Sequence, residues 1–451
     1  MTSVSLSWFD FAMAIAIFLS VTLFALRKSR GISEEVYLVG GRDVPWWLLG
    51  PTIAAGVLGG GVILVFSEYS YNYGFSALSI IGGIAIGTFF VIPLALKFKP
   101  MADRQRFFTF PDLFEYKWGI VAGNLATLAV FLWTLGFIVL HLISAGIIIQ
   151  AMVQLPSWSG VLIVSAVVAS YVVRSGFRAV VLTDFIQFAA LLLLLIVVLP
   201  STAVSIDWSK ARLDSIKLDL ATIIGFFLLG SLNMLVSADL WQRIYAARSP
   251  KEAKVGFLFA GILILIGGLL LLFPGLAANT LQQKDIQPNV ALVEVLAQNC
   301  PRLILGFGLA AILMAVMASL DTMVFILGLT ISHDIIVRIF GKPLSSRIPS
   351  AQLSMVLALL IGSIFAIRFS ELLPTGVALS LIGLVLVPAI FMAAIGKDLS
   401  KQAVNGGIIL GLLTVFSLII LGKLTPDTAP IALVAAILGS AIGASYKKWS
   451  D

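Results

Sequence analysis

The sequence predicts an all-α polytopic membrane protein with about thirteen transmembrane helices, and three observations carry that expectation. Of its 451 residues, 60% are hydrophobic and only 11% charged, with a mean hydropathy of +1.09. A water-facing domain holds about 25% charged residues, so these charges cannot coat a soluble protein of this size. Apolar stretches near the roughly 20 residues that a spanning helix needs recur along the whole chain. The alternating segments of about ten residues that build a membrane barrel are missing.

Taken in order, the candidate spans are 8–26, 46–71, 77–97, 119–151, 157–173, 180–203, 220–242, 254–279, 302–336, 350–369, 373–395, 404–422 and 428–446. The boundary at 369–373 is weak and leaves twelve as the alternative count. With the N-terminus outside and the C-terminus cytoplasmic, 22 of the 29 Lys and Arg fall on the inner side. The seven outside are Lys210, Arg212, Lys217, Lys284, Arg302, Arg368 and Lys423. Basic residues concentrate in cytoplasmic loops, so this bias supports an odd helix count. The first span has no Lys or Arg before it, and Arg27, Lys28 and Arg30 after it. A secretory signal has the opposite layout, so this span is expected to stay as an anchor. Trp8, Trp46, Trp47, Trp118 and Trp158 lie near expected interfaces and read as belt anchors.

Composition also excludes function classes. The net charge of +7 follows topology and gives no reason to expect a nucleic-acid partner. The single Cys300 cannot form an internal disulfide framework, and two histidines cannot build a His-rich metal site. No phosphate-binding GxxxxGK[ST] loop occurs, so neither ATP hydrolysis nor an organic cofactor is expected, and the chain does not read as an enzyme.

Interruptions and ionisable groups are costly inside a bilayer, and they mark the places to look. The span PTIAAGVLGGGVILVFSEYSYNYG carries Gly56 and Gly59-Gly60-Gly61. Such glycines either allow close helix packing or let the helix unwind and free carbonyls for a cation. Five spans later, IIGFFLLGSLNMLVSADLWQR carries Gly225 and Gly230, then Ser231, Asn233 and Ser237 at membrane depth. Two interrupted helices at corresponding positions are what an inverted five-plus-five repeat produces, with a binding site at the midplane. Asp184 in RAVVLTDFIQF and Asp321 in AVMASLDTMVF are acids within spans, each needing a partner. Water at the interface could satisfy Asp184, and protonation with a hydrogen bond to a neighbouring helix could satisfy Asp321. Ala315, Ala318, Ser319 and Thr322 share one helix face, with Asp321 beside it. One carboxylate among neutral oxygens suits a hard monovalent cation. His141 reads as a packing residue, Glu68 as close to outer water, and His333 and Asp334 as solvated at the inner edge.

Four stretches, GRDVPWWLLGPTIAAGV with YSYNYG after it, YVVRSGFRAVVLTDFIQ, DLWQRIYAARSPKEAKVG and AAILMAVMASLDT, occur in this order over residues 41 to about 340. Together they resemble the solute:sodium symporter family. The resemblance implies a leucine-transporter-type fold. Its parts would be a leading helix and inner loop (1–45), a first repeat over 46–203, a second over 220–395 and two trailing helices over 404–446. It implies sodium-coupled symport, with Na⁺ as the coupling ion and a small organic solute as cargo. It also implies a sodium site with backbone oxygens from Ala54, Val57 and Ala315 and the hydroxyl of Ser319. A further sodium position maps onto Asp184, Asp321 and Thr322. The chain departs from the family where Ala318 replaces a hydroxyl residue and where Ser175-Gly176 replaces Gly-Gly. After the unwound turn comes Gly59-Gly60-Gly61-Val62, with little to hold a sugar, so a small or flat solute is expected at Gly59, Gly60, Gly61, Ser231, Asn233 and Ser237.

The expected location is the cytoplasmic membrane of a bacterium, with the lipid bilayer as solvent. Two alternatives accompany this reading: a proton-coupled transporter using Asp321, and a membrane sensor coupled to a partner without transport. Only Tyr446 to Asp451 follow the last span, which argues against a fused signalling domain. A passive channel is disfavoured because no ring of charges lines a repeated pore helix.

Overall fold

The computed structural model describes residues 33–208, 218–280, 288–299, 302–342, 346–369, 382–423 and 428–450, with a few isolated positions besides. The expected leading span 8–26 and the first part of 373–395 lie largely outside the described residues. Among those described, every regular element is helical, apart from one isolated parallel bridge between Val44 and Ala247.

In chain order the helices are α1 (Glu34–Val39), α2 (Trp46–Val57), α3 (Gly60–Tyr73), α4 (Leu78–Gln105), α5 (Phe110–Trp118), α6 (Ile120–Val153) and α7 (Ser157–Ser205). Then come α8 (Leu220–Val236), α9 (Ala238–Ala246), α10 (Pro250–Thr280), α11 (Ala291–Asn299) and α12 (Arg302–Leu329), which continues as a π-helix over Thr330–Ile339. The last are α13 (Ile348–Arg368), α14 (Val387–Ala394), α15 (Lys401–Ile420) and α16 (Ala429–Ser450). Eight of the described helical runs are long and apolar enough to cross a membrane, or nine if the bent α8–α9 pair counts as one span.

The expected single span 46–71 is two helices. α2 ends where Leu58 leaves helical geometry, and Gly59 is extended (φ −77°, ψ −176°) before α3 begins. The expected span 220–242 also breaks, by 44°, but at Ser237. Gly225 and Gly230 stay helical inside α8. Glycine does not have to break a helix in apolar surroundings, since neighbouring helices can use the space for close packing. α7 combines two expected spans, divided at Gly176 (φ 66°, ψ 171°). That backbone is open to glycine and strained for L-residues, and a Cβ there would also meet Tyr37 at 2.9 Å. The Tyr37 hydroxyl donates to Val173 O at 2.8 Å, fastening α1 beneath the division.

α12 lies at the centre, its membrane-spanning stretch wholly buried among α2, α3, α6, α7 and α13. Around it the outer faces of α4, α7, α10 and α13 expose Phe90, Leu193, Ile196, Leu258, Leu360 and Ile364, the apolar coat of a protein dissolved in lipid. Trp46, Trp47 and Trp158 are exposed, in keeping with belt positions. Trp118 differs: it is 2% exposed, and its indole N–H donates to Leu399 O at 3.1 Å. That indole ties α5 to the segment before α15, so it serves packing and cannot anchor in headgroups.

Candidate functional site

The two helix breaks open onto the same interior. At the first, the Leu58 amide closes back onto Ala54 O at 2.8 Å, ending α2. The Ser319 hydroxyl, on α12, lies 3.2 Å from Ala55 O and 2.9 Å from Gly56 O, where it donates. Gly59 makes this approach feasible, since a Cβ there would stand 1.5 Å from Ser319 Oγ and 3.2 Å from Ala315 O. Ala54, Val57, Ala315 and Ser319, the residues expected to hold sodium, are all buried at this crossing of α2, α3 and α12. The carbonyls that meet the hydroxyl are those of Ala55 and Gly56. Ala318 is completely buried and adds no oxygen.

At the second break, α9 carries a charge that the sequence assigns to an inner loop. Arg243 is fully buried. Its Nη2 donates to Asp184 Oδ2 at 3.1 Å, Thr52 O at 2.9 Å and Thr322 Oγ1 at 3.3 Å, and its Nη1 to Asp239 Oδ2 at 3.4 Å. The Thr52 hydroxyl also donates to Asp184 Oδ2. Asp321 takes a different partner, accepting from the Tyr171 hydroxyl at 2.9 Å. Asp184, Asp321 and Thr322 do come together, but a guanidinium sits between Asp184 and Thr322. Three buried acids, Asp184, Asp239 and Asp321, surround one guanidinium. Asp184 Oδ1 and Asp321 Oδ1 remain buried without a hydrogen bond. A site with more acids than bases and spare carboxylate oxygens attracts a further cation.

Sequence reasoning missed Arg243 and Asp239. The available signal was their i, i+4 spacing in DLWQR, together with a buried Asp184 that had no counter-charge.

Between the two breaks lies a cavity of about 170 Å³. Gly61, Asn233 and Ser237 line it, as do Asp239 and His141. Gly59 and Gly60 do not line it; they pack against Ser319 and Val316. Ser231 points elsewhere, its hydroxyl bonded to Gly83 O at 3.0 Å and Phe227 O at 2.8 Å, which fastens α8 to α4. Most of the wall is apolar, and its aromatic part is Phe66, Tyr69, Trp133, Phe137 and Phe226. These residues come from α3, α6 and α8, and nothing in their local sequence marks them as one surface. The Gly61 N–H donates to His141 Nδ1 at 3.2 Å, so His141 is a cavity residue bonded to the break as well as a packing residue.

A separate polar cluster lies where the π-helix meets α5. His333 Nε2 is 3.0 Å from Asp112 Oδ1, Arg338 bonds Glu115 at 3.1 Å and pairs with Asp334, and Thr109 donates to Asp334 at 2.8 Å. Asp334 is fully buried, so it is not the solvated edge residue that the sequence suggests. Burial pushes the Asp112 carboxyl up, but His333, Arg338 and the Thr109 amide outweigh it and hold the group at about 2. With Arg338 already on three of its acids, Asp112, Glu115 and Asp334, the cluster is a structural tie between α5 and the end of α12.

Comparison with known proteins agrees with this architecture. The chain is 25% identical over 328 residues to a sodium/glucose cotransporter of Vibrio parahaemolyticus, covering 64% of this chain but 58% of that protein. It is 24% identical to sodium/proline symporter 2 of Staphylococcus saprophyticus, covering 96% of this chain and 89% of that one. Among solved structures, a Na⁺-coupled sialic acid symporter in a substrate-bound outward-open state superposes with a TM-score of 0.85. That match is 18% identical and covers 98% of both chains, and it shows that the fold is shared. These relatives are transporters. The sodium:solute symporter family model matches residues 37–396, and the chain, an integral membrane protein, belongs to that family.

Proposed function

We propose that this protein is a secondary active transporter, in which sodium moving down its gradient drives a small organic solute across the membrane by alternating access. The observation that carries the reading is the α2–α3 break. It brings backbone carbonyls and the Ser319 hydroxyl together beside a cavity that also touches the α8–α9 break. Ion and solute would each favour the conformation that closes around both, so their binding is reciprocally coupled. The ion site consists of the carbonyls of Ala54, Val57 and Ala315 with the Ser319 hydroxyl. A second cation, at Asp184, Asp321 and Thr322, would have to share Asp184 and Thr322 with Arg243 or displace it. The five-plus-five repeat over 46–203 and 220–395 is supported by the two breaks facing one cavity. Two trailing helices follow, and the charge distribution supports an outer N-terminus and a cytoplasmic C-terminus in a bacterial membrane.

One observation favours a second reading, proton coupling. Asp321 is buried, its carboxyl is bonded to the Tyr171 hydroxyl, and no salt bridge to it exists among the described residues. Uptake into membrane vesicles decides between them. Ser319→Ala and Asp184→Asn are each expected to lower Na⁺-dependent uptake, Ser319→Ala chiefly by raising the sodium concentration for half-maximal rate. Unchanged sodium dependence in both variants defeats the assigned ion sites, and uptake driven by a pH gradient without sodium selects the proton reading.

A further inference from the structure

The cavity carries chemical information beyond its size, and it names a solute class for the proposed transporter, on whose reading this inference rests. At about 170 Å³ it is smaller than the roughly 300–1,000 Å³ of drug-sized pockets, which limits the solute to about one ring with small substituents. No Lys or Arg lines it, and both oxygens of its one carboxylate are engaged: Asp239 Oδ1 by the Ser237 hydroxyl and Oδ2 by Arg243. An ionised solute would therefore enter without an unpaired counter-charge, which is costly in apolar surroundings.

Two polar atoms in this wall have no partner. Trp133 Nε1, a donor, and Asn233 Oδ1, an acceptor, are both buried and unbonded, on residues 3% and 7% exposed. A Cβ on Gly383 would stand 3.0 Å from Asn233 Oδ1 and 3.1 Å from Trp133 Nε1, so donor and acceptor lie close together beside the Gly383 backbone, within reach of one small ligand. Leaving such groups unpaired is costly, and a ligand that pairs both recovers that cost. The complementary ligand presents an N–H and a C=O side by side. An open-chain secondary amide is trans and points them in opposite directions. A lactam, imide or pyrimidine-dione is held cis by its ring and points both the same way. Trp133 and Phe137, with ring centroids 4.6 Å apart, and the Tyr69–Phe226 pair supply aromatic surface for such a ring.

We infer that the cavity recognises an uncharged cyclic cis-amide, its N–H donated to Asn233 Oδ1 and its C=O accepting from Trp133 Nε1. The test measures thermal unfolding of the purified full chain in NaCl with uracil, 2-pyrrolidone, N-methylacetamide, L-proline, nicotinate or D-glucose. A ligand of the native state raises the midpoint by mass action. Uracil and 2-pyrrolidone are expected to stabilise and N-methylacetamide is not. Trp133→Phe removes the unpaired N–H together with part of a buried indole, so the ligand-free midpoint should fall, while the uracil-induced shift, read against that variant's own midpoint, should report binding weakened about tenfold. Gly383→Ala puts a methyl group between donor and acceptor and should abolish that binding. The inference is overturned if no cyclic amide stabilises, if N-methylacetamide matches 2-pyrrolidone, if only proline, nicotinate or glucose acts, or if both variants bind uracil normally. Uptake into proteoliposomes under a sodium or a choline gradient separates the two levels. Uracil that binds but is not moved by sodium leaves the cavity chemistry standing and sinks the symport reading. Sodium-driven uptake of proline or glucose alone does the reverse.

Discussion

The two broken helices reach similar geometry by opposite means. Between α2 and α3 the interruption comes from absence: Gly59 has no side chain, and Ser319 enters the space and bonds the carbonyls of the last turn. Between α8 and α9 it comes from presence: Ser237 binds Asp239, Asp239 binds Arg243, and the guanidinium holds Thr52 and Asp184 on other helices. The first break turns the carbonyls of Ala55 and Gly56 toward a hydroxyl on another helix. The second break is a fixed charge network, and it couples α2, α7, α9 and α12 in one contact set. A helix can therefore be opened in the membrane either by deleting a side chain or by supplying charged ones.

Removing the charge gives the largest expected effect. Arg243→Met leaves Asp184 and Asp239 buried without their cation, and breaking such a network by removing one partner costs about 3–5 kcal/mol. A fall of that size should appear in thermal unfolding of the purified protein, and adding Asp184→Asn should restore part of it. If the single variant is as stable as the parent, the second break does not depend on charge. The matching change at the first break is Gly59→Ala. Its Cβ would collide with Ser319 Oγ, and forced overpacking costs about 1–3 kcal/mol. Combining it with Ser319→Ala removes the nearest atom, so the double variant should unfold at a higher temperature than Gly59→Ala alone. Strict additivity of the two would mean that the hydroxyl does not occupy that space. The smallest effect belongs to Ser237→Ala. It removes one hydrogen bond to Asp239, leaves the ion pair in place, and should cost about 1 kcal/mol, close to the net worth of a single bond. A loss as large as that of Arg243→Met would place the serine, and not the arginine, at the origin of the second break.

Part of the site was legible in the residues alone. Asp184, Asp321, Ser319 and the Gly59–Gly61 run stand out because bilayer physics makes a carboxylate, or a break in the hydrogen-bond ladder, conspicuous against an apolar background. Arg243 was not legible. Its position after an apolar span made it resemble an interfacial topology marker, and only a bend at Ser237 turns it inward. Gly225 and Gly230 suggested the second break and do not make it, because close packing of Gly230 on α4 accounts for a small residue there without unwinding. The aromatic wall carried no local signal either, since Phe66, Trp133 and Phe226 look like any core or lipid-facing ring in an apolar helix.

The sequence by itself determined the solvent, the class and the family. Composition decides whether a chain dissolves in water or lipid, and local motifs survive in linear order. Tertiary structure alone decided which acid received the buried Arg243 guanidinium, which serine reached the freed carbonyls and which side chains share the cavity. Those are contacts between residues from 59 to 264 positions apart, and such pairings are set by how helices cross, which no local window of sequence contains.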